Sequence, residues 1–276
     1  MKKKIKILSL LLSALFAFTS CEQVIDLDLN EAGQRIVIEG AVTLTSNPCI
    51  VKISTSGDFY TGEGVNVIDD ANVEVFSSNG EHETLVNAGS GIYFTPELIP
   101  IPQTEYTVKV TYNDVTYTAA DTLPEMVYIE NLDYNLSDFS NEGPNDDGYD
   151  VHYDVNCSFQ DEPGVKNYYL LRLFRNDESV DGRRGKYFLL SDEYLDGEKI
   201  TYTFFGIGAE INDTINVSLS SVGPATYDYY RTLNDALSQG GMGSTPYNPI
   251  TNFDNDALGY FGTFTLDQKE ISISGK

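Results

Sequence analysis

The chain alternates apolar and polar residues along most of its length, in short runs that are typical of β-strands. The clearest run is 106–112, and 115–119 repeats the alternation after the dipeptide Asn113-Asp114. A two-residue connection of this type between alternating runs predicts a tight β-hairpin. Further strands are predicted at 34–40, 50–54, 72–76, 81–86 and 91–94. Short strands at this spacing, without a helical period, predict an antiparallel sandwich.

The second half of the chain continues the β pattern with one interruption. Segment 225–239 places Tyr229, Leu233 and Ala236 three and four residues apart, which predicts a helix. The strands predicted around it are 127–136, 149–159, 167–175, 186–190, 199–205, 214–222, 259–266 and 270–274. Pro124 suggests a boundary between the halves.

The predicted fold is therefore mostly β. It consists of an N-terminal immunoglobulin-like or carboxypeptidase-regulatory-like sandwich at 34–122 and a larger antiparallel β domain with one helix at 123–276. The strands in both halves alternate between apolar and polar positions, so each half is expected to bury one face of its sheets.

The first twenty residues have the pattern of a bacterial lipoprotein signal. Residues 1–6 are mostly basic, 7–18 are mostly apolar, and Thr19 and Ser20 precede Cys21. The apolar stretch is shorter than the about 20 residues that a membrane-spanning helix needs. The residues before Cys21 also differ from the Ala-x-Ala site of an ordinary secretory signal. We therefore expect cleavage before Cys21 and lipid attachment to its thiol.

Lipid attachment at Cys21 predicts where the protein lies. Residues 1–20 would be the signal peptide, and 21–33 would tether the folded part to the membrane. Acidic residues soon after Cys21 resemble surface-export signals, so we expect an outer-membrane lipoprotein that faces outward rather than into the periplasm. More than one acyl chain on this cysteine would give the stable attachment that a single chain does not.

The charge of the chain excludes some partners. Four of the 17 Lys and Arg residues precede the predicted cleavage site, and the remaining 13 face 42 Asp and Glu residues, so the mature net charge is near −29. Such a polyanion will not bind nucleic acid by neutralising phosphates, nor an anionic membrane through a basic patch. Cations, cationic peptides and neutral sugars remain open, and solubility at a crowded surface also explains the charge.

The residue types that usually carry catalysis are scarce. Besides Cys21 there are Cys49 and Cys157, interpreted as two buried free thiols rather than a disulfide. The two histidines, His82 and His152, are both predicted on outward strand faces. They supply neither the positioned base of a serine hydrolase nor a zinc ligand set. Glycosidases need only paired carboxylates, but Trp, the usual sugar platform, is absent. We predict no enzyme and no cofactor.

An acidic loop is the one candidate metal site in the sequence. Asn145, Asp146, Asp147 and Asp150 surround Gly148 and offer oxygen ligands of the kind that calcium prefers. The loop lacks the EF-hand pattern, and a solvated acidic loop is the alternative interpretation.

Tyrosines are concentrated in the second half of the chain. Tyrosine suits binding surfaces because it combines area with a polar tip, but it is also common in strands. We interpret most of these tyrosines as core and cross-strand packing. They are Tyr168, Tyr169, Tyr187, Tyr194, Tyr202, Tyr227, Tyr229 and Tyr230.

An ordered set of short motifs resembles the domain-of-unknown-function 4249 family. The matching segments are 21–29, 36–40, 91–93, 106–108, 117–119, 123–124, 229–233, 248–249 and 259–262. The resemblance covers nearly all of the chain after Cys21. It implies an outer-membrane lipoprotein of Gram-negative bacteria whose gene often lies beside that of a TonB-dependent receptor. The family has no agreed catalytic residues.

Three functional hypotheses follow. The first is a non-catalytic binding or accessory subunit of a TonB-dependent nutrient-uptake system, which the predicted anchor and the family resemblance favour. The second is an adhesive or structural surface lipoprotein without a small-molecule ligand. The third is an enzyme acting on carbohydrate or peptide, which would need a concave site with paired carboxylates.

Overall fold

The computed structural model describes residues 34–45, 48–57, 64–138, 148–180, 187–238 and 248–274. The predicted signal peptide, Cys21 and the tether lie outside these ranges. The chain from Gln34 onward forms one compact unit. Among the described residues, no helix is both long and apolar enough to cross a membrane.

The first half of the chain contributes eight strands. They are β1 (Ile36–Thr43), β2 (Cys49–Thr55), β3 (Asn72–Ser77), β4 (His82–Thr84), β5 (Val86–Gly89), β6 (Ile92–Phe94), β7 (Thr104–Tyr112) and β8 (Val115–Leu123). The predicted hairpin joins β7 and β8. Its two turn residues have positive φ angles, 48° at Asn113 and 62° at Asp114, as a type I′ turn requires.

The second half contributes eight strands and the helix. They are β9 (Ile129–Leu136), β10 (His152–Gln160), β11 (Tyr168–Arg175), β12 (Glu178–Ser179), β13 (Phe188–Ser191), β14 (Lys199–Gly208), β15 (Thr214–Val222), α1 (Pro224–Ser238) and β16 (Leu258–Ser272). The helix begins one residue before the predicted segment. The two strands predicted after residue 258 are one long strand, β16.

Three sheets build the fold. The main sheet has nine strands in the order β12-β11-β15-β16-β1-β2-β6-β5, with β13 also paired to β11. The other two have the orders β14-β10-β9 and β4-β3-β7-β8. Apart from the parallel pair of β1 and β16, the strand pairs are antiparallel. The predicted fold class, mostly β with sandwich packing and one helix among the described residues, is confirmed.

Two hydrophobic cores lie on the inner face of the main sheet. In the first, Ile38 and Val51 of the main sheet pack with Val108 of the four-stranded sheet. In the second, Leu171 and Val217 pack with residues of the three-stranded sheet. Both are sandwich cores, in which alternate residues of facing strands interdigitate. The two sandwiches therefore share one continuous sheet.

The C-terminal strand joins the two halves of the chain. β16 pairs with β1, about 220 residues earlier in the sequence, and Phe253, Ala257 and Phe261 complete the first core. Apart from these C-terminal residues, the buried members of the first core end at Leu123, and those of the second begin at Ile129, on either side of the predicted boundary. The division into separate domains at 122/123 stays a prediction.

His152 is less exposed than predicted. It was expected to be exposed on the outward face of β10, yet it is 4% exposed. The pairing of β10 with β14 shifts register between Tyr153 and Val155, but the extra residue lies in β14, between Phe204 and Ile207. The alternation of β10 therefore continues, and Tyr153, Val155 and Cys157 all pack in or against the second core, as predicted. Since successive residues of a strand point to opposite faces, His152 is covered on the face away from that core.

Candidate functional site

The outer face of the main sheet carries the site, on the side away from both cores. Successive residues of a strand point to opposite faces, so Phe261 enters the first core while its neighbour Tyr260 faces outward. The parallel pairing of β1 and β16 aligns Tyr260 with Glu39. An aromatic ring and a carboxylate therefore stand side by side on this face.

Next to Tyr260 and Glu39 on this face, two aligned positions on neighbouring strands carry small side chains or none, so the surface there is shallow. Gly262 is aligned with Ala41, which in turn is aligned with Ile50 of β2. A Cβ at Gly262 would lie 2.1 Å from the hydroxyl oxygen of Thr226, at the start of α1. Only glycine allows the helix to approach β16 this closely, and the shallow row beside it becomes the floor of a groove.

A buried carboxylate fixes the start of α1 against the sheet. Asp121, at the end of β8, accepts hydrogen bonds from the amide of Ala225 at 3.2 Å and the hydroxyl of Thr226 at 2.9 Å. It also accepts from the amides of Thr263 at 2.9 Å and Thr122 at 3.1 Å. The negative charge lies at the helix N-terminus, where free amides and the helix dipole stabilise it. Burial nevertheless raises the pKa of Asp121 above its usual value.

The helix supplies the wall of the groove. The ring of Tyr229 stacks on that of Tyr260, with centroids 4.0 Å apart and planes within 16°. The ring of Tyr230 meets that of Tyr260 edge-on, with centroids 5.7 Å apart. It is tilted against the ring of Tyr187, with centroids 4.7 Å apart. Stacked and edge-to-face pairs at these separations are favourable arrangements of aromatic rings. Four tyrosines from the helix, from β16 and from the segment before β13 therefore form one cluster.

These residues enclose an open cavity of about 370 Å³. We call it the tyrosine groove and define it by Tyr187, Tyr229, Tyr230, Tyr260 and Glu39, with Ala41 in its floor. Ile50 and Leu233 also line it. Its volume lies at the small end of the range of about 300–1,000 Å³ for small-molecule pockets.

The hydroxyl groups in the groove stay protonated. Tyr260 donates a hydrogen bond to the hydroxyl oxygen of Tyr230 at 3.2 Å. Burial above all raises the pKa of Tyr229, Tyr230 and Tyr260, and the negative charge of Glu39 adds to the rise. These three hydroxyls therefore stay protonated at physiological pH, and the one acidic side chain in the described lining is Glu39.

The predicted calcium loop is not assembled within the described residues. Asn145, Asp146 and Asp147 lie outside the described ranges, and Asp150 is exposed. The calcium hypothesis for this loop stays a prediction.

A different acidic group, which the sequence did not indicate, lies beside β11. Oxygen atoms of Asp161, Asp192 and Asp196 lie within 4.8 Å of one another. Asp161 accepts hydrogen bonds from the hydroxyl of Tyr169 and from the amide of Gly197.

The other two carboxylates of this group are also held by main-chain donors. Asp192 accepts from the amide of Asn167 at 2.8 Å, and Asp196 accepts from the amide of Gly164 at 2.7 Å. These bonds connect two loops, the one between β10 and β11 and the one between β13 and β14, and they explain the group as a structural joint.

The cysteine and histidine side chains lie in separate parts of the fold. Cys49 and Cys157 are free and buried, as predicted, one in each core. His82 lies on β4 with a half-exposed side chain that contacts Glu74 at 3.0 Å and stacks on Phe76, in agreement with the prediction of an exposed strand residue. His152 belongs to a different sheet. None of these four residues lines the tyrosine groove.

Sequence reasoning found part of the groove. Tyr187, Tyr229 and Tyr230 were singled out but interpreted mainly as packing, whereas Glu39 and Tyr260 were not connected with them. The signals that could have connected them are adjacent tyrosines on one turn of a helix and a tyrosine framed by Gly259 and Gly262. The pairing of β1 with β16 that brings Glu39 to the cluster leaves no local trace in the sequence.

Comparisons with known proteins give a family and likenesses to solved structures. No curated protein sequence matches the chain. Among solved structures, a two-domain fibronectin type-III segment of chicken tenascin matches with 12% identity and a TM-score of 0.22, covering 68% of this chain and 91% of the tenascin segment. A TM-score this low carries no argument about function. A family model described as a domain of unknown function, DUF4249, matches residues 22–270, and the chain belongs to this family.

Proposed function

We propose that this protein is a lipid-anchored, non-catalytic binding protein of the outer membrane and that the tyrosine groove holds its ligand. In this role it serves as an accessory subunit of a TonB-dependent nutrient-uptake system. The observation that carries the proposal is the groove itself, a concave aromatic surface beside a single carboxylate.

The groove has the properties of a binding site. Four tyrosine rings meet around an open cavity, and two of its floor and wall residues, Ile50 and Leu233, are aliphatic. Ile50 leaves 43% of its surface exposed, although a side chain of this type is usually buried. A ligand that covered Ile50 and the tyrosine rings would remove apolar surface from water, which favours binding by about 25 cal/mol per Å².

The chemistry of the lining supports binding rather than catalysis. Glycoside hydrolysis uses two positioned carboxylates, and among the described residues Glu39 is the only acid that lines the groove. The pKa values of Tyr229, Tyr230 and Tyr260 are raised, so these hydroxyls stay protonated at neutral pH and are not available as phenolate bases.

The location and the partner are supported by the sequence. The basic and apolar start before Cys21 predicts the anchor, and the DUF4249 resemblance implies the neighbourhood of a TonB-dependent receptor. The acidic composition of the chain argues against nucleic acid as a partner.

Complementation of a deletion strain tests the proposal. The strain is grown on panels of single nutrient sources after reintroduction of the wild type or of a variant. Tyr229→Leu keeps an apolar side chain but removes a ring and a hydroxyl from the groove, and Cys21→Ser removes the predicted lipid attachment. Tyr128→Leu is the matched control, because Tyr128 is 62% exposed and does not line the groove.

We expect the deletion to slow growth on at least one nutrient, and only the wild type and Tyr128→Leu to restore it. The amount of each variant in the outer membrane is measured by immunoblot. Full restoration of growth by Tyr229→Leu would contradict the proposal that the tyrosine groove holds the ligand. A deletion without any growth defect would contradict the transport role and favour an adhesive or structural one.

A further inference from the structure

The groove combines π faces with one negative charge, and this combination selects for a class of ligand. Resting on the proposed binding role of the groove, we infer that its ligand carries an organic ammonium group, seated between the tyrosine rings and the Glu39 carboxylate. Four features of the protein favour such a ligand: the tyrosine rings, the Glu39 carboxylate, the scarcity of other polar groups in the lining and the negative charge of the chain.

Aromatic rings attract cations because their faces carry partial negative charge. Tyr229 and Tyr260 are stacked, and Tyr187 and Tyr230 meet at 53°, so the cluster presents rings in several orientations around one cavity. The cluster already contacts a cation at its edge, since the guanidinium of Arg172 lies 5.8 Å from the ring centroid of Tyr187. Arg172 does not line the groove, so the cavity itself remains available.

Glu39 supplies the negative charge. It is exposed and aligned with Tyr260 on one side and Lys52 on the other. Among the described residues, no ion pair within 4.0 Å joins Glu39 to Lys52 or to another basic side chain. The Glu39 carboxylate can therefore pair with a cationic group of a ligand.

The rest of the lining disfavours a sugar. A polyol needs several donors and acceptors placed around it, yet Ala41, Ile50 and Leu233 offer only apolar surface from their side chains. Two of the tyrosine hydroxyls, those of Tyr230 and Tyr260, already bond to each other. An alkylated ammonium ion makes fewer hydrogen bonds than a sugar and more apolar contacts, and the lining provides apolar contacts.

The negative net charge of the chain also favours a cationic ligand. At −25 for the whole sequence, the surrounding field raises the local concentration of cations and speeds their encounter with the protein. It also makes anionic ligands unfavourable. We therefore expect affinity that decreases as salt is added.

Calorimetric titration of the full-length chain in a neutral detergent tests the inference. Choline, a quaternary ammonium, is compared with 3,3-dimethyl-1-butanol, which has the same shape without the charge. The variant Glu39→Gln removes the charge of the groove. Glu270→Gln removes the same charge from an exposed position ten residues beyond Tyr260 on β16, about 33 Å along the strand, and serves as the matched control.

We expect choline to bind at least about tenfold more tightly than its neutral isostere, a difference of about 1.4 kcal/mol. Glu39→Gln should weaken choline binding at least about fivefold, and Glu270→Gln should change it less than about twofold. Equal affinities of choline and its neutral isostere, or equal effects of the two variants, would each overturn the inference, and so would the absence of binding by every ammonium probe.

Two further probes distinguish the source of the ammonium group. Nα-acetyl-lysine methylamide represents a lysine side chain of a peptide, and its Nε-acetylated form is the neutral control. Tighter binding of the lysine probe than of choline would indicate a cationic peptide, and the reverse order would indicate a free quaternary amine. If the neutral isostere binds as well as choline and Tyr229→Leu abolishes both, the ammonium inference fails while the binding role of the groove stands.

Discussion

Replacing Asp121 by asparagine should loosen the helix that forms the wall of the groove. Asp121 is 4% exposed and accepts four hydrogen bonds, two on each carboxylate oxygen. An asparagine side chain has nearly the same shape but keeps only one acceptor oxygen, and its NH₂ group faces donors. The side chain also lies against Gly223, where a Cβ would come within 2.3 Å of the carboxylate oxygens, so the substituted side chain has little room to move away.

The size of the effect follows from the bonds that remain. If the NH₂ group replaces the oxygen near Thr263, the Thr226 hydroxyl can rotate to accept from it, and the Thr263 amide still has that hydroxyl at 3.1 Å. If the NH₂ group instead replaces the oxygen near Thr122 and Ala225, the main-chain amides of both residues lose their acceptor. The first orientation leaves no main-chain donor without an acceptor, so we expect the asparagine to adopt it. Bonds to the charged oxygen are still lost, and a hydrogen bond to a charged group contributes about 1.5–3 kcal/mol. We therefore expect the free energy of unfolding to fall by about 2 kcal/mol, or about thirtyfold in the unfolding constant.

Urea unfolding followed by far-UV circular dichroism measures this difference. The midpoint should decrease while the dependence on urea stays unchanged. Asp70→Asn makes the same chemical change at an exposed position and should alter stability by less than about 0.5 kcal/mol. If Asp121→Asn is as stable as Asp70→Asn, the Asp121 bonds do not hold α1 in place and the account of the groove wall is wrong.

Three more predictions concern the packing of the fold. Gly262→Ala places a Cβ 2.1 Å from a hydroxyl of α1 and should destabilise by about 1–3 kcal/mol in thermal unfolding, whereas Gly64→Ala, which meets nothing within 4 Å, should leave the melting temperature unchanged. Tyr169→Phe leaves a buried carboxylate without its hydroxyl donor and should cost about 1–3 kcal/mol, and an unchanged urea midpoint would contradict this. Burial raises the pKa of Cys49 and Cys157 to about 12, so both stay protonated at pH 8 and should react with a thiol reagent only after unfolding, whereas rapid reaction of the native protein would refute their burial.

The β architecture was predictable because its signals are local. Alternation over a few residues marked most of the strands, and the Asn113-Asp114 dipeptide fixed the hairpin between β7 and β8. Two differences have physical causes. His152 was expected to be exposed on the outward side of β10 but is covered there, since alternation gives the side on which a residue lies and not what packs over it. The short strands β4 and β5 were read as one because residues 81–86 show no break in alternation strong enough to separate them.

The site was less predictable because long-range pairing assembles it. Glu39 and Tyr260 come together only through the parallel pairing of β1 and β16, and no periodicity in the sequence specifies which strand pairs with which. Tyr229 and Tyr230 were visible on the predicted helix, but the depth of the groove depends on Gly262 and Ala41, whose small size has meaning only once they are neighbours. A tyrosine in a strand packs in the core or lines a groove according to its facing, which the tertiary structure decides.

Affinity purification most directly tests the central claim, that this protein is a lipid-anchored binding subunit of an uptake system. The tagged protein is isolated from gently solubilised outer membranes, and its partners are identified and counted by mass spectrometry, with the Cys21→Ser variant as the control for anchoring. The account predicts a TonB-dependent receptor in about equal amount to the wild-type protein. Recovery of the lipoprotein alone, from membranes in which it is abundant, would contradict it.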